Sequence, residues 1–138
     1  MKLDLNRVRE RLGQEQDFTF RAMAEGYRED VSLRGWRIGT GTWADPPGSS
    51  FPVLAITTVA IYVTTDGDLF GVLDQYPQPN QPLVFGGRDN PPMWIETGDT
   101  LDALRARLYE RNPEHHATDL AITEAQQALA PFNQEETP

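Results

Sequence analysis

The strongest hydrophobic pattern in the chain is a run of β-branched residues between Val53 and Thr65. Its apolar side chains occupy positions of both parities, which is typical of a strand covered on both faces. The pair Asp66-Gly67 follows and suits a two-residue type I′ turn, after which the apolar stretch 69–73 returns. The pattern predicts a long antiparallel hairpin over residues 53–73 at the centre of the fold.

Helical spacing marks the N-terminal residues, and the segment after them is ambiguous. Residues 4–12 place apolar side chains three and four positions apart, with Asp4 as N-cap and Gly13 where a left-handed C-cap would lie. From Asp17 to Tyr27 the apolar residues fit the alternation of a strand and also one helical face. Because Ala22 to Glu25 are good helix formers, we predict a helix, with a strand as the alternative.

Two more helices are predicted near the C-terminus. In the first, leucines recur at three and four positions from Leu101 to Leu108. The second covers Asp119–Ala130 and repeats apolar residues on one face. We predict that Asp99 or Thr100 caps the first of these helices and that Pro113 stops it. Thr118 is the predicted cap of the second, and Pro131 its predicted end.

The chain between the helical regions is rich in strand and turn formers. Residues 31–43 are β-like, and Gly35, Gly39 and Gly41 within them indicate a bulge, a bend or a close approach of another backbone. Leu83-Val84-Phe85 is a short strand candidate between proline-rich segments.

These elements predict an α+β fold, with an antiparallel sheet around the 53–73 hairpin and with an N-terminal helix and two C-terminal helices packed on the sheet. We expect one domain over residues 1–132 and a polar tail over 133–138. The longest apolar stretch, 51–63, holds 13 residues, whereas a membrane-spanning helix needs about 20. The first residues show no signal-peptide pattern, so we expect a cytoplasmic protein without membrane association.

Charge is unevenly distributed along the chain. Residues 1–37 hold 8 basic and 7 acidic side chains, and residues 38–138 hold 4 basic and 14 acidic ones, so the net charge of −9 arises in the second part. Such acidity repels phosphate backbones and disfavours nucleic acid as a ligand. It suits a basic protein partner, although acidity also keeps proteins soluble without any partner.

Acidic and glycine-rich segments offer weak candidates for a ligand site. Asp66, Asp68 and Asp74 surround the predicted turn, but their spacing does not match an EF-hand loop, and a solvated turn explains them. Gly39-Thr40-Gly41 lacks the lysine of a phosphate-binding loop and the third glycine of a dinucleotide fingerprint. We therefore predict no metal ion and no cofactor.

Catalytic groups are also scarce. His115 and His116 are adjacent and point about 100° apart on a helix, whereas His115 and Asp119 have the i,i+4 spacing that can orient an imidazole. The serines, Ser32, Ser49 and Ser50, lie in no nucleophile-elbow motif. We assign no catalytic residue, and the sequence favours a protein that is not an enzyme.

Aromatic residues beside prolines are the most informative feature for function. Trp43 precedes Pro46-Pro47, Tyr76 precedes Pro77, and Met93 and Trp94 follow Pro91-Pro92. Trp, Tyr and Met are enriched at protein interfaces, and rigid loops lose less entropy on binding. The simpler interpretation is that these side chains close the core under their own loops. We predict partner binding through Trp43, Tyr76, Met93 and Trp94.

The leading hypothesis is a non-catalytic, acidic accessory protein that binds a protein partner. Its outline and acidity are shared with small bacterial accessory proteins of the toxin-immunity and secretion-chaperone kinds, an analogy without a motif behind it. The alternative is a small-molecule-binding domain or small enzyme with a pocket between the sheet and the helices after Asp99. A third hypothesis is a DNA-mimicking inhibitor. A homo-oligomer is compatible with all three.

Overall fold

The computed structural model describes residues 3–24, 27–44, 55–77, 93–111 and 115–135. They form three helices and five strands, and the predicted strand at residues 83–85 lies outside the described residues. The elements in chain order are α1 (Leu5–Leu12), β1 (Gln16–Ala24), β2 (Tyr27–Ala44), β3 (Ala55–Thr64), β4 (Leu69–Pro77), β5 (Met93–Gly98), α2 (Leu101–Arg111) and α3 (His116–Glu135).

The five strands form one antiparallel sheet in which each strand pairs with its neighbours in the sequence, in the order β1-β2-β3-β4-β5. Together with the three helices this arrangement confirms the predicted α+β fold. α3 packs on β2 and β3, and α2 packs on β4 and β5. None of the described helices is long and apolar enough to cross a bilayer.

The central hairpin is confirmed as β3 and β4, but its turn differs from the predicted one. Gly67 N donates to Thr64 O at 2.9 Å, and Thr64 N donates to Asp68 O at 2.9 Å. Gly67 has a φ of 90°. The loop therefore has three residues, a tight turn followed by a left-handed glycine, instead of a two-residue type I′ turn.

The segment after α1 is a strand, so the predicted helix over residues 17–27 is wrong. β1 pairs along its whole length with the first half of β2. Phe18 and Phe20 lie on one face of β1, and their rings contact the Tyr62 ring edge-on, with centroids 4.8 and 5.2 Å apart. Burying two aromatic rings on one face outweighs the weak helix preference of the small residues that follow.

β2 changes partner near its middle. Its first half pairs with β1 and its second half with β3, starting at Gly35 opposite Thr64, and the register shifts between Arg37 and Gly39. A Cβ at Gly35 would lie 2.0 Å from Val63 O, so only glycine fits there. The β1–β2 hairpin thereby reaches across the sheet and contacts β5.

The sheet has a core on each face. The larger core lies under the helices and includes Val59, Ile61, Leu104, Leu108 and Ile122, each at most 2% exposed. The smaller core lies on the opposite face, under the β1–β2 hairpin. Its buried members are Leu33, Tyr62 and Val72, and the partly buried residues around them are Phe18, Phe20, Ala60, Phe70 and Ile95.

Caps define the starts of the first two helices. Asn6 N donates to Asp4 Oδ1 at 3.1 Å, as predicted for α1, and Gly13 follows with a φ of 87°. Ala103 N donates to Thr100 Oγ1 at 3.1 Å, which selects Thr100 over Asp99 as the cap of α2.

The third helix is longer than predicted at both ends. Thr118 is fully buried inside its first turn instead of capping it. Pro131 does not end the helix, which continues to Glu135. Pro131 cannot donate the backbone hydrogen bond of its helical turn. Phe132, which is 6% exposed in the larger core, offsets this loss by its burial and keeps the last turn helical.

An ion pair joins the end of α1 to the start of β1, and we expect it to give a pH-dependent contribution to stability. Arg9 Nε and Nη2 donate to the two carboxylate oxygens of Glu15 at 2.9 and 2.6 Å. Hydrogen bonding to Arg9 lowers the pKa of Glu15 to about 2. Because this pKa is lower in the folded chain than in the unfolded chain, the stabilisation is complete above the ordinary glutamate range and is lost as the pH falls through about 2.

An NMR titration of the Glu15 carboxyl carbon tests this expectation directly. The wild-type midpoint should lie at about 2, and Arg9→Ala should move it towards the ordinary value of 4.5. Equal midpoints in the two proteins would show that the pair does not form.

Candidate functional site

Trp43 lies near the end of β2 on the helix-covered face, opposite Thr57 of β3. Its ring is half-buried and stacks on the imidazole of His116, the first residue of α3, with centroids 4.0 Å apart and planes 12° apart. Its Nε1 is buried and has no hydrogen-bond partner among the described residues. The ring is thus fixed in place by stacking, while its single hydrogen-bond donor has no acceptor among the described residues.

Trp94 lies on β5 on the same face, opposite Leu73. The guanidinium of Arg111, the last residue of α2, lies over its ring with Cζ 4.6 Å from the centroid. Glu96 Oε2 accepts hydrogen bonds from Nε and Nη2 of the same guanidinium at 3.0 and 2.8 Å. Arg111 is therefore held between a carboxylate and an aromatic face, which fixes the indole as well.

Tyr109 and His115 form a second stacked pair between the two helices. Their ring centroids are 3.8 Å apart, and the planes are 12° apart. The Tyr109 hydroxyl donates to Asp119 Oδ1, and this hydrogen bond raises the pKa of Tyr109. The predicted i,i+4 relation of His115 and Asp119 is present at the level of the backbone, where Asp119 N donates to His115 O at 2.8 Å. The carboxylate itself bonds to the tyrosine.

These contacts gather at the junction between the end of α2 and the start of α3, and they bring together two features that the sequence showed separately. The tryptophans and the histidines are far apart in the chain, yet Trp43 contacts His116. We call this surface the α2–α3 corner. It consists of Trp43, Trp94, Tyr109, Arg111, His115 and His116.

The other two residues predicted to bind a partner are placed only by their backbones. Tyr76 lies opposite Ile56 on β4, and Met93 lies opposite Asp74 on β5. Both positions are at the same end of the sheet as the tryptophans.

The one described serine lies on a different part of the fold from the two histidines. Ser32 shares a hydrogen bond of 3.2 Å with Thr19 on the β1–β2 hairpin, and Ser49 and Ser50 lie outside the described residues. Within the described ranges, no group of three His, Asp or Glu side chains is arranged to hold a metal ion.

A depression lies where the alternative hypothesis expects a pocket, between the sheet and the start of α2. Its volume is about 360 Å³, near the lower end of the range for small-molecule sites. Arg107 lines it and donates to Thr97 O at 2.7 Å. The lining residues are Asp68, Leu69, Phe70, Thr97, Gly98, Asp99, Ala103 and Arg107.

The sequence contains no direct sign that Tyr109 and Arg111 belong to the corner, or that His115 stacks on another ring. A weak signal existed, because Tyr109 and His115 flank the break at Pro113 and so belong to adjacent helix ends.

The chain matched no protein-family model, no curated protein and no solved structure.

Proposed function

We propose that this protein is a non-catalytic accessory protein that binds a protein partner through the α2–α3 corner. The observation that carries the proposal is the state of its two tryptophans. Trp43 and Trp94 are both half-buried, and each ring is held by a second side chain stacked on it. Rings fixed before binding lose little entropy when a partner covers them.

The residue types in the corner are those of a binding hot spot in a protein interface. Trp, Tyr and Arg are the residue types that most often dominate binding energies, and Trp43, Trp94, Tyr109 and Arg111 supply all three.

Charge favours a basic partner. The chain has a net charge of −9, and the exposed residues Glu110 and Asp119 lie beside the corner. Acidic side chains at the rim of an interface attract a basic protein and accelerate its association. DNA mimicry is less well supported, because α2 also carries Arg105, Arg107 and Arg111 among its acidic residues.

The test compares a tagged wild-type protein with variants in co-purification from its native host, followed by affinity measurement with the purified partner. Trp43→Leu combined with Trp94→Leu keeps apolar atoms against the core and removes the indole rings. We expect its Kd to be at least tenfold higher, about 1.4 kcal/mol. Glu110→Arg, which lies outside the core, should weaken binding of a basic partner and change its salt dependence.

Thr40→Ala is the matched control, because Thr40 is exposed on the opposite face of β2. It should bind as the wild type does. Circular dichroism and thermal melting establish that each variant is folded. Repeated recovery of the wild-type protein alone, or a partner that the double variant binds with wild-type affinity, would refute the proposal.

A further inference from the structure

The second half of β2 has an open edge. β1 pairs with β2 only as far as Gly35, and β3 pairs with β2 from Gly35 to Ala44. Beyond Gly35, one side of β2 therefore bonds to β3, and no described strand lies on the other side. We call that side of residues 39–44 the β2 edge. It is about 20 Å long at roughly 3.4 Å per residue, which is the length of an ordinary strand.

The hairpin between β3 and β4 shows which backbone groups face the β2 edge. Thr64 N and O both bond within the β3–β4 loop, so the even-numbered residues of β3 point their backbone groups towards β4. The odd-numbered residues of β3 then bond to the odd-numbered residues of β2 that lie opposite them. Thr40 and Thr42 consequently turn their N–H and C=O groups towards the edge. Both residues are exposed, and no described group bonds to their backbone there.

One flank of α3 lies beside the β2 edge. A Cβ at Gly41 would lie 2.8 Å from Leu120 Cβ. Ile122 is buried in the larger core, and a step of two residues turns about 200° around a helix, so Leu120 lies on the flank away from β3. Leu120 is 51% exposed, the one large hydrophobic side chain so exposed among the described residues. Glu124 follows it by one turn on this flank and is also exposed.

The spacing of Leu120 and Glu124 matches the repeat of a strand. α3 runs antiparallel to β2, because its backbone at Ala117 lies over Gly41 and its backbone at Ala125 lies over Gly39. Four helical residues rise about 6 Å, and two strand residues rise about 6.8 Å. A strand paired with the β2 edge would therefore place one side chain next to Leu120 and the side chain two positions away next to Glu124.

We propose that the β2 edge accepts an extended segment of the protein partner, in which an apolar side chain faces Leu120 and a basic side chain two positions away faces Glu124. The backbone of Thr40 and Thr42 supplies two donors and two acceptors for its main-chain hydrogen bonds. The edge adjoins the α2–α3 corner at Trp43, which stands on the same strand. The inference rests on the proposed function and specifies the part of the partner that this chain binds.

A second copy of the chain does not fit the edge. α3 lies directly over β2, so pairing two β2 strands would bring their α3 helices to about 5 Å, the spacing of neighbouring strands. Packed helices need about 8 to 10 Å between their axes. The occupant is therefore a strand with no helix above it, such as a terminal or loop segment of the partner.

The test uses a capped peptide, Thr-Lys-Thr-Val-Thr-Lys-Thr, which offers valine to Leu120 and lysine to Glu124 in either strand direction. In ¹⁵N–¹H correlation spectra the peptide should shift the amides of Thr40 and Thr42 and slow their exchange with deuterium. A peptide with glutamate in place of both lysines should bind at least tenfold more weakly, because it places like charges side by side.

Two pairs of variants make the test specific. Thr42→Pro removes an outward N–H and leaves the bonds to β3 in place, so it should weaken peptide binding at least tenfold. Thr42→Val loses the same hydroxyl group but keeps the N–H, and should bind as the wild type does. Leu120→Lys should weaken binding at least tenfold, whereas Thr123→Lys adds the same charge at another exposed position of α3 and should not.

Equal binding of the two peptides, retention of binding by Thr42→Pro or Leu120→Lys, or no shift at Thr40 and Thr42 would each overturn the proposal. If Thr42→Pro fails to fold, the exposed position Leu120 still decides. Protection of the two threonine amides that grows with protein concentration alone would assign the edge to a second copy instead. Trp94→Leu changes the corner on β5 and should still bind the peptide, so failure of the edge is distinguishable from failure of the proposed function.

Discussion

Gly41→Ala is expected to destabilise the protein by roughly 3 kcal/mol, at the upper end of the range for overpacking. A Cβ at this position would lie 2.2 Å from Ala117 O and 2.9 Å from Ala121 N, both backbone atoms of α3. A flexible side chain could move aside, but a helix backbone cannot. The added methyl group would therefore lift α3 from β2 and expose Ala117 and Ala121, which are now fully buried.

Urea unfolding followed by circular dichroism measures this loss. Gly39→Ala should behave similarly, because its Cβ would lie 2.2 Å from Ala121 O. Thr40→Ala changes the exposed residue between the two glycines and should stay within about 0.5 kcal/mol of the wild type. If Gly41→Ala proves as stable as Thr40→Ala, the close packing of α3 on β2 is wrong.

Leu108→Ala is expected to cost about 3 kcal/mol, within the range of roughly 2 to 5 kcal/mol for buried leucines. Leu108 is fully buried in the larger core. With Leu104 it fills the space above Gly71, where a Cβ would lie 3.0 Å from Leu108 Cδ1 and 3.2 Å from Leu104 Cδ1. The truncation would leave a cavity between α2 and β4.

A second substitution on the facing strand makes this prediction specific. Gly71→Ala alone should cost little, because the leucine methyl groups can shift by a few tenths of an ångström. In the Leu108→Ala background the new methyl group enters the cavity, so the double variant should be more stable than the sum of the single changes predicts. If the changes in free energy of unfolding are strictly additive, the contact between Gly71 and Leu108 is contradicted. Arg105→Ala is the control, because it shortens a side chain on the exposed side of α2 without opening a cavity in the core.

The elements predicted correctly are those in which several local signals agree. The central hairpin combined β-branched residues with a turn sequence, and α1 combined helical spacing with caps at both ends. β1 was predicted wrongly because its local signals conflicted. Its structure is decided by the pairing with β2 and by the contact of Phe18 with Tyr62, neither of which is visible in a local window.

In the candidate site, too, the sequence indicates some residues, whereas others are placed only by contacts between distant segments. Trp43 and Trp94 could be singled out by residue type and by the prolines near them. Their stacking partners, His116 and Arg111, could not, because those contacts depend on where the helix ends lie on the sheet. The sequence groups Asp74 only with the acids around the predicted turn, Asp66 and Asp68. The strand pairing instead places it on a different surface, opposite Thr58.

The order of the strands has a consequence for how the chain folds during synthesis. Because each strand pairs with the one before it, the sheet can grow by successive local additions, which favours rapid formation. The two helices that cover its larger core are translated after all five strands. A nascent chain ending at Gly98 therefore exposes Val59, Ile61 and Leu73 to solvent until α2 and α3 emerge from the ribosome, which makes this intermediate the form most prone to aggregate.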